Sequence, residues 1–318
     1  MFSFEEINGV KQIQIGTGFF CSNADGSIST NHKITLKNLS KQNVIKCVKR
    51  NLEDLIKLLQ ISKELRCTIF RLGSNFIPFA SHELFNKGWL SEIKSLLKDY
   101  LEEMKAFNIK LTMHPGQFVV LSSENQEVTK RSLAELAYHF WLLEELQTDE
   151  NSVVVIHGGG TYGDKKSSTR RLKNTIKRNP WLKRRIALEN DEKNYNIQDI
   201  LEICREVEIP AVFDYFHHTI NPADFDIEDL FETWGSRIPE FHISSKSKSS
   251  NPYTHGDFVE IEDFLNFCNL ISGFSRAKSI KIDLIFEAKR KEQAISKFFK
   301  DIEKVRDFGR FKVQKTQT

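Results

Sequence analysis

Cysteine is scarce and carries no pairing pattern. The five residues Cys21, Cys47, Cys67, Cys204 and Cys268 are an odd number, widely scattered, with no CxxC pair. That argues against a disulfide framework or a cysteine-rich zinc site, and for a reducing compartment. No run of 18 apolar residues occurs, so no membrane-spanning helix is expected. The opening MFSFEEINGVKQIQ lacks a basic segment followed by an apolar one, so no signal peptide is read there. The expected location is cytoplasmic, or nuclear or mitochondrial in a eukaryote. Proline is rare, at 7 residues, and no Pro- or Ser-rich linker divides the chain, so residues 1–318 read as one domain. Charge of one sign is also missing. The 46 Lys and Arg against 43 Asp and Glu leave a formal charge of +3, which neither demands nor excludes a nucleic-acid partner. With 40% hydrophobic and 28% charged residues, collagen-like, coiled-coil and disordered chains are excluded.

What is present is an alternation. Short apolar segments rich in Ile, Val and Phe read as buried strands: QIQIGTGFF, CTIFRL, IKLTMH, SVVVIH, RIALE, PAVFD, PEFHIS and KIDLIFE. Longer amphipathic stretches lie between them. Val44, Val48, Leu52, Leu55 and Leu59 repeat at helical spacing, as do Leu133, Leu136, Phe140 and Leu143. A helical segment follows each strand, the last over roughly 292–305. Eight strand–helix units in a chain of 318 residues predict a single closed (β/α)8 barrel, the TIM barrel. An open doubly wound sheet would have a glycine-rich first turn opening a helix, and the GTG of the first strand does not. The polar stretch 306–318 is expected to be a loose tail.

The ends of the strands carry the chemistry. The third closes on His114, the fourth on His157, the fifth on Glu189 and the sixth on Asp214, with His217 three residues later. The seventh contains His242 and the eighth closes on Glu287. In a parallel barrel these ends open on one face, where active sites of this fold are built. Carboxylates and imidazoles gathered in one mouth need a neutraliser. No Lys or Arg stands beside Glu189, Asp214 or His242 in the sequence, although Lys289 follows Glu287. Divalent cations are the simplest neutraliser, and this donor set suits them. In the loop after strand seven, His255 and Asp257 are spaced to reach one metal with His217. His32, His82, His139 and His218 read as structural or exposed. Glycine-rich segments, HPGQFV and HGGGTYGDKKSSTRR, flank the candidate ligands. Their backbone amides could approach an anion, with Tyr162, Lys165 and Arg170 as candidate phosphoester contacts beside Lys166 and Arg171.

Taken in order, FRLGSNFIPFASH, MHPGQFVVLSS, IHGGGTYGDK, ALENDE, VFDYFHH and FEAKRKEQ resemble the UV damage endonucleases, over about residues 14 to 293. The resemblance implies a TIM barrel related to apurinic endonucleases of the endonuclease IV type. It implies metal-dependent nicking of damaged double-stranded DNA on the 5′ side of ultraviolet photoproducts, leaving a 3′ hydroxyl. Two or three divalent ions per chain are implied, manganese before zinc or magnesium. Carried over, His114 and His157 hold one metal and Glu189 bridges to a second, which Asp214, His242 and Glu287 complete. His217 and His255 hold a third. Glu189, Glu287 and His242 are the residues expected at the reaction itself, and no obligate protein partner is implied.

Three positions depart from the family pattern. Glu240 stands where relatives commonly have a lysine two residues before the strand-seven histidine, and strand alternation places it on the face of His242, as a candidate ligand. Gln117–Phe118 replaces a lesion-probing Gln–Tyr pair, and Phe19 replaces a tyrosine after the first strand. Phenylalanine keeps a stacking surface for an unpaired base and loses the phenolic hydrogen bond. The alternatives are an abasic-site endonuclease or a metal-dependent sugar isomerase of the same barrel group, and a damage-binding module without catalysis.

Overall fold

Largely buried strands are what a parallel sheet covered on both faces requires, and the described residues build eight of them, most only four residues long. The structure, a computed structural model, describes residues 2–6, 12–274, 279–305, 307–308 and 311–314. The strand β1 (Phe2–Glu6) leads into the first barrel strand, β2 (Gln12–Phe20), followed by α1 (Lys41–Glu64). The units then repeat as β3 (Ile69–Leu72), α2 (Leu90–Lys105), β4 (Lys110–Met113), α3 (Gln126–Glu145), β5 (Val154–His157) and α4 (Lys165–Arg178). They continue with β6 (Ile186–Glu189), α5 (Ile197–Val207), β7 (Ala211–Asp214), α6 (Tyr215–Ile220), α7 (Ile227–Trp234), β8 (Glu240–Ile243), α8 (Ile261–Ile271), β9 (Ser279–Phe286) and α9 (Lys291–Ile302). Two short strands follow, β10 (Asp307–Phe308) and β11 (Phe311–Gln314).

Strands β2 to β9 pair in order, all parallel, and β9 returns to pair with β2. The expected (β/α)8 barrel is therefore what forms. At the end of the sheet away from the strand termini that carry the chemistry, β1 runs antiparallel to β2 and to β11. Residues 307–308 and 311–314, expected as part of a loose tail, are thus paired strands, while 306, 309–310 and 315–318 lie outside the described residues.

Helices cover the barrel with the faces their periodicity dictates. In α1, Val44, Val48, Leu52, Leu55 and Leu59 are buried, and Ser40 caps the first turn by accepting from the Asn43 N–H. In α5, Asn196 and Asp199 form a reciprocal capping box. Closure of the barrel leaves no room beside β2. A Cβ on Gly18 would stand 2.1 Å from the Ile69 carbonyl oxygen of β3, so only glycine permits this approach. Among the described residues, no helix is long and apolar enough to cross a membrane.

Candidate metal centre

Register places the strand-end residues in one layer. His157 of β5 is the partner of Glu189 on β6, and Asp214 of β7 is the partner of His242 on β8. His114 follows β4 directly and Glu287 follows β9 directly. Glu189 is fully buried and faces in two directions. Its Oε2 lies 2.8 Å from His114 Nε2 and 3.6 Å from His157 Nε2, while its Oε1 accepts from His242 Nδ1 at 2.5 Å. Glu287 Oε1 is 3.5 Å from the same His242 nitrogen.

Two groups of donors follow, both able to hold a metal ion. One is His114, His157 and Glu189, and the other is Glu189, Asp214, His242 and Glu287; within each, one donor atom per residue lies within 4.8 Å of the rest. Glu189 belongs to both, the geometry a bridging carboxylate needs. The donor chemistry, imidazole with carboxylate, fits a divalent cation. So does Asp214, whose Oδ1 caps α6 by accepting from the His217 N–H at 2.7 Å while its buried Oδ2 has no hydrogen-bond partner.

His217 and His255 stand beside these groups without joining them. Their rings are 6.0 Å apart. His217 Nδ1 pairs with the Asn190 carbonyl at 2.9 Å and His255 Nδ1 with the Glu287 carbonyl at 2.9 Å, so both present Nε2 to the mouth. His217 Nε2 is 3.8 Å from Glu192, a neighbour the strand-end count did not select. Asp257 is exposed and lies 4.0 Å from Arg290, in neither donor group. Glu240 is fully buried and belongs to neither group, with Oε1 3.1 Å from His242 Nε2.

The electrostatics correct one expectation. A cation does stand among these carboxylates: Arg71, buried on β3, contacts Glu287 and His242 and reaches Glu240 Oε1 at 3.3 Å. Lys289, the expected neighbour, is exposed. Arg71 was legible only as the charged residue of CTIFRL, two positions after Ile69 on the same strand face. Burial opposes charge on Glu189, but His242 beside it holds its carboxyl well below the usual range. Burial and Arg71 work against the charge on His242, yet Glu189 and Glu240 push it up to about 10. Burial likewise opposes protonation of His217, and Asp214 with Glu189 raises it to about 9. His157 goes the other way, lowered to about 4 by burial.

Around the mouth, Gln117 is exposed and Phe118 is 67% exposed, a large apolar ring standing in solvent. A cleft of about 270 Å³ runs between the Pro115–Gly116–Gln117 turn and the 191–194 loop, with His157 in its wall. Tyr162 is half exposed with the Arg171 guanidinium 5.6 Å over its ring. Arg170 is exposed, while Lys165 is tied to Asp199 at 2.5 Å. Phe19 is a core residue instead of a stacking surface. It is fully buried, edge-on to Phe70 at 5.2 Å, because its side chain points into the layer between sheet and helices.

Fold and mouth together define a class: a TIM barrel whose strand-end histidines and carboxylates form groups able to hold metal ions. The profile of the family described as UV-endonuclease UvdE matches residues 21–316, and the chain belongs to that family. The UV DNA damage endonuclease of Bacillus cereus (strain Q1) is 29% identical over 299 residues, which are 91% of this chain and 92% of that protein. That of Clostridium perfringens (strain 13 / Type A) is 29% identical over 297 residues, 91% of this chain and 71% of that protein. The crystal structure of SacUVDE superposes with a TM-score of 0.81 at 28% identity, covering 93% of this chain and all (100%) of that one. A xylose isomerase-like TIM barrel/4-hydroxyphenylpyruvate dioxygenase fusion protein shares the fold alone, with TM-score 0.52 and 13% identity over 79% of this chain and 41% of that one.

Proposed function

We propose that this chain is a metal-dependent DNA repair endonuclease, one barrel domain that hydrolyses the phosphodiester on the 5′ side of ultraviolet photoproducts and leaves a 3′ hydroxyl. The observation that carries the reading is the pair of donor groups sharing Glu189, with the exposed ring of Phe118 four residues after the donor His114. His114 and His157 would hold one ion with Glu189, and Asp214, His242 and Glu287 a second. His217 and His255, with Nε2 of each free of their backbone contacts, would hold a third. Divalent cations there, manganese before zinc or magnesium, supply Lewis-acid polarisation of a phosphate and a bound water of lowered pKa.

The residues themselves do the rest. Phe118 enters the duplex beside a lesion and stacks on the unpaired base, and Gln117 offers it a hydrogen bond. Displacing a damaged dinucleotide is cheaper than displacing paired bases, which gives selectivity for the lesion. Arg170 and Tyr162 contact the backbone on the rim. The Arg71 guanidinium keeps Glu287 ionised beside His242, so the donor group stays anionic.

The test is nicking of supercoiled plasmid, irradiated or not, by protein stripped with a chelator and by the same protein resupplied with manganese. Nicking is expected only with both irradiation and metal. Equal cleavage of both plasmids defeats the damage-specific reading, and faster cleavage of an abasic duplex than of a photoproduct duplex favours the abasic-site alternative.

A further inference from the structure

The basic run Lys289–Arg290–Lys291 joins β9 to α9, and its three side chains have different fates. Lys289 and Arg290 are exposed. Lys291 is half-buried, and its Nζ stands 2.9 Å above the centre of the Phe20 ring. An ammonium over an aromatic face is attracted by the ring's quadrupole, so Phe20 is a shelf for the charge.

The shelf lies in the layer of the donor groups. Phe20 is the last residue of β2 and the register partner of Arg71, which contacts Glu287. Strand alternation turns Phe20 toward the mouth while Phe19 goes into the core. Two features keep the ammonium there. The backbone of Lys291 is left-handed, with φ 45°, a conformation that a residue with a side chain adopts at a cost. The Glu292 carboxylate accepts from the Ala24 N–H at 2.8 Å, which ties the first turn of α9 to the loop after β2.

Arg71 and Lys291 differ in what they face. Arg71 is taken up by Glu240, His242 and Glu287. Among the described residues, Lys291 Nζ makes no ion pair and no hydrogen bond. Burial lowers its ammonium to about 8, so it is still charged at neutral pH. A half-buried cation held without a counter-ion is completed by an anion from outside. Resting on the DNA-cleaving reading above, we infer that Lys291, steadied on Phe20, binds a non-bridging oxygen of a DNA phosphodiester seated in the mouth. The covered face of Phe20 is then a support for this contact and not a stacking surface for a base.

The test is single-turnover nicking of a photoproduct duplex by the full chain with manganese, with the half-saturating protein concentration read at several salt concentrations. Lys291→Met keeps the length of the side chain and removes its charge. It should raise that concentration about tenfold at low salt. The log–log dependence on salt should become shallower by about 0.9, the share of one phosphate contact. Manganese content, thermal midpoint and maximal rate should stay parental. Lys291→Gln, a second neutral variant suited to a half-exposed position, should repeat the loss. Lys291→Arg, which keeps the charge, should stay within a few-fold of the parent with the parental slope. Parental affinity and slope in the neutral variants would overturn the inference, as would loss of manganese from them, which would make Lys291 a support for Glu287. So would a lowered maximal rate at parental affinity, or an Arg variant as weak as the neutral ones. A parent that does not nick the duplex would defeat the DNA-cleaving reading itself, and the inference with it. A nicking parent that the neutral variants match sinks the inference alone.

Discussion

Glu189 has His114 and His157 on one oxygen and His242 on the other, so both donor groups depend on a single carboxylate. Glu189→Gln keeps the volume and removes the charge. Metal content and nicking should fall together, and a variant within about tenfold of the parent, roughly 1.4 kcal/mol in barrier, would show that position 189 bridges nothing. The two phenylalanines singled out by resemblance have opposite fates. Phe118 stands in solvent, so Phe118→Ala should leave thermal stability unchanged and weaken binding of photoproduct duplex by about 1–3 kcal/mol, measured by fluorescence anisotropy. Phe19 is in the core. Phe19→Ala should instead lower stability by about 3–5 kcal/mol in urea unfolding and leave damage selectivity as it was. As letters the two depart from the family pattern in the same way, a phenylalanine in place of a tyrosine. Burial decided between them, and burial of one strand residue depends on which face the sheet turns to the helices.

At the scale of elements, strands and their ends were legible because a parallel barrel leaves few choices. Every buried run ends on the same face, so the last polar residue of each run marks the mouth. The pairing of β1 with β11 was not legible, since it joins segments from opposite ends of the sequence with no short-range signal. Nor was the tight contact between β2 and β3. Gly18→Ala forces a methyl against the Ile69 carbonyl, and barrel closure should suffer by about 3 kcal/mol or more. The nearest side-chain atom to a Cβ on Gly160 is 3.5 Å away, so Gly160→Ala is the control expected to keep the parental urea midpoint.

The whole molecule should show a bell-shaped stability profile in the presence of a chelator. Buried His139 is lowered to about 4 by desolvation, as is His157. The unfolded chain takes up their protons near 6.5 and the folded one does not, so stability present above 6.5 is lost as pH falls toward 4. His217 and His242 are raised to about 9 and about 10, so the stability they contribute below 6.5 is lost as pH rises through those values. Urea midpoints across pH should peak between these limbs, and His139→Gln should make the acid limb shallower, leaving the share of His157, without changing the alkaline limb. A parent profile that is level from pH 4 to 6.5 would contradict the burial assigned to these rings.

Arg71 could not be read from sequence as part of the site, because its partners Glu240 and Glu287 are 169 and 216 residues away. Its presence changes how the mouth behaves as a vessel. A cup lined only with carboxylates would be pushed apart by like charge; one that carries its own guanidinium should keep its shape when empty. On the metal-dependent reading proposed above, chelated protein should therefore keep the parental circular dichroism and regain nicking when manganese is returned, with no refolding step between.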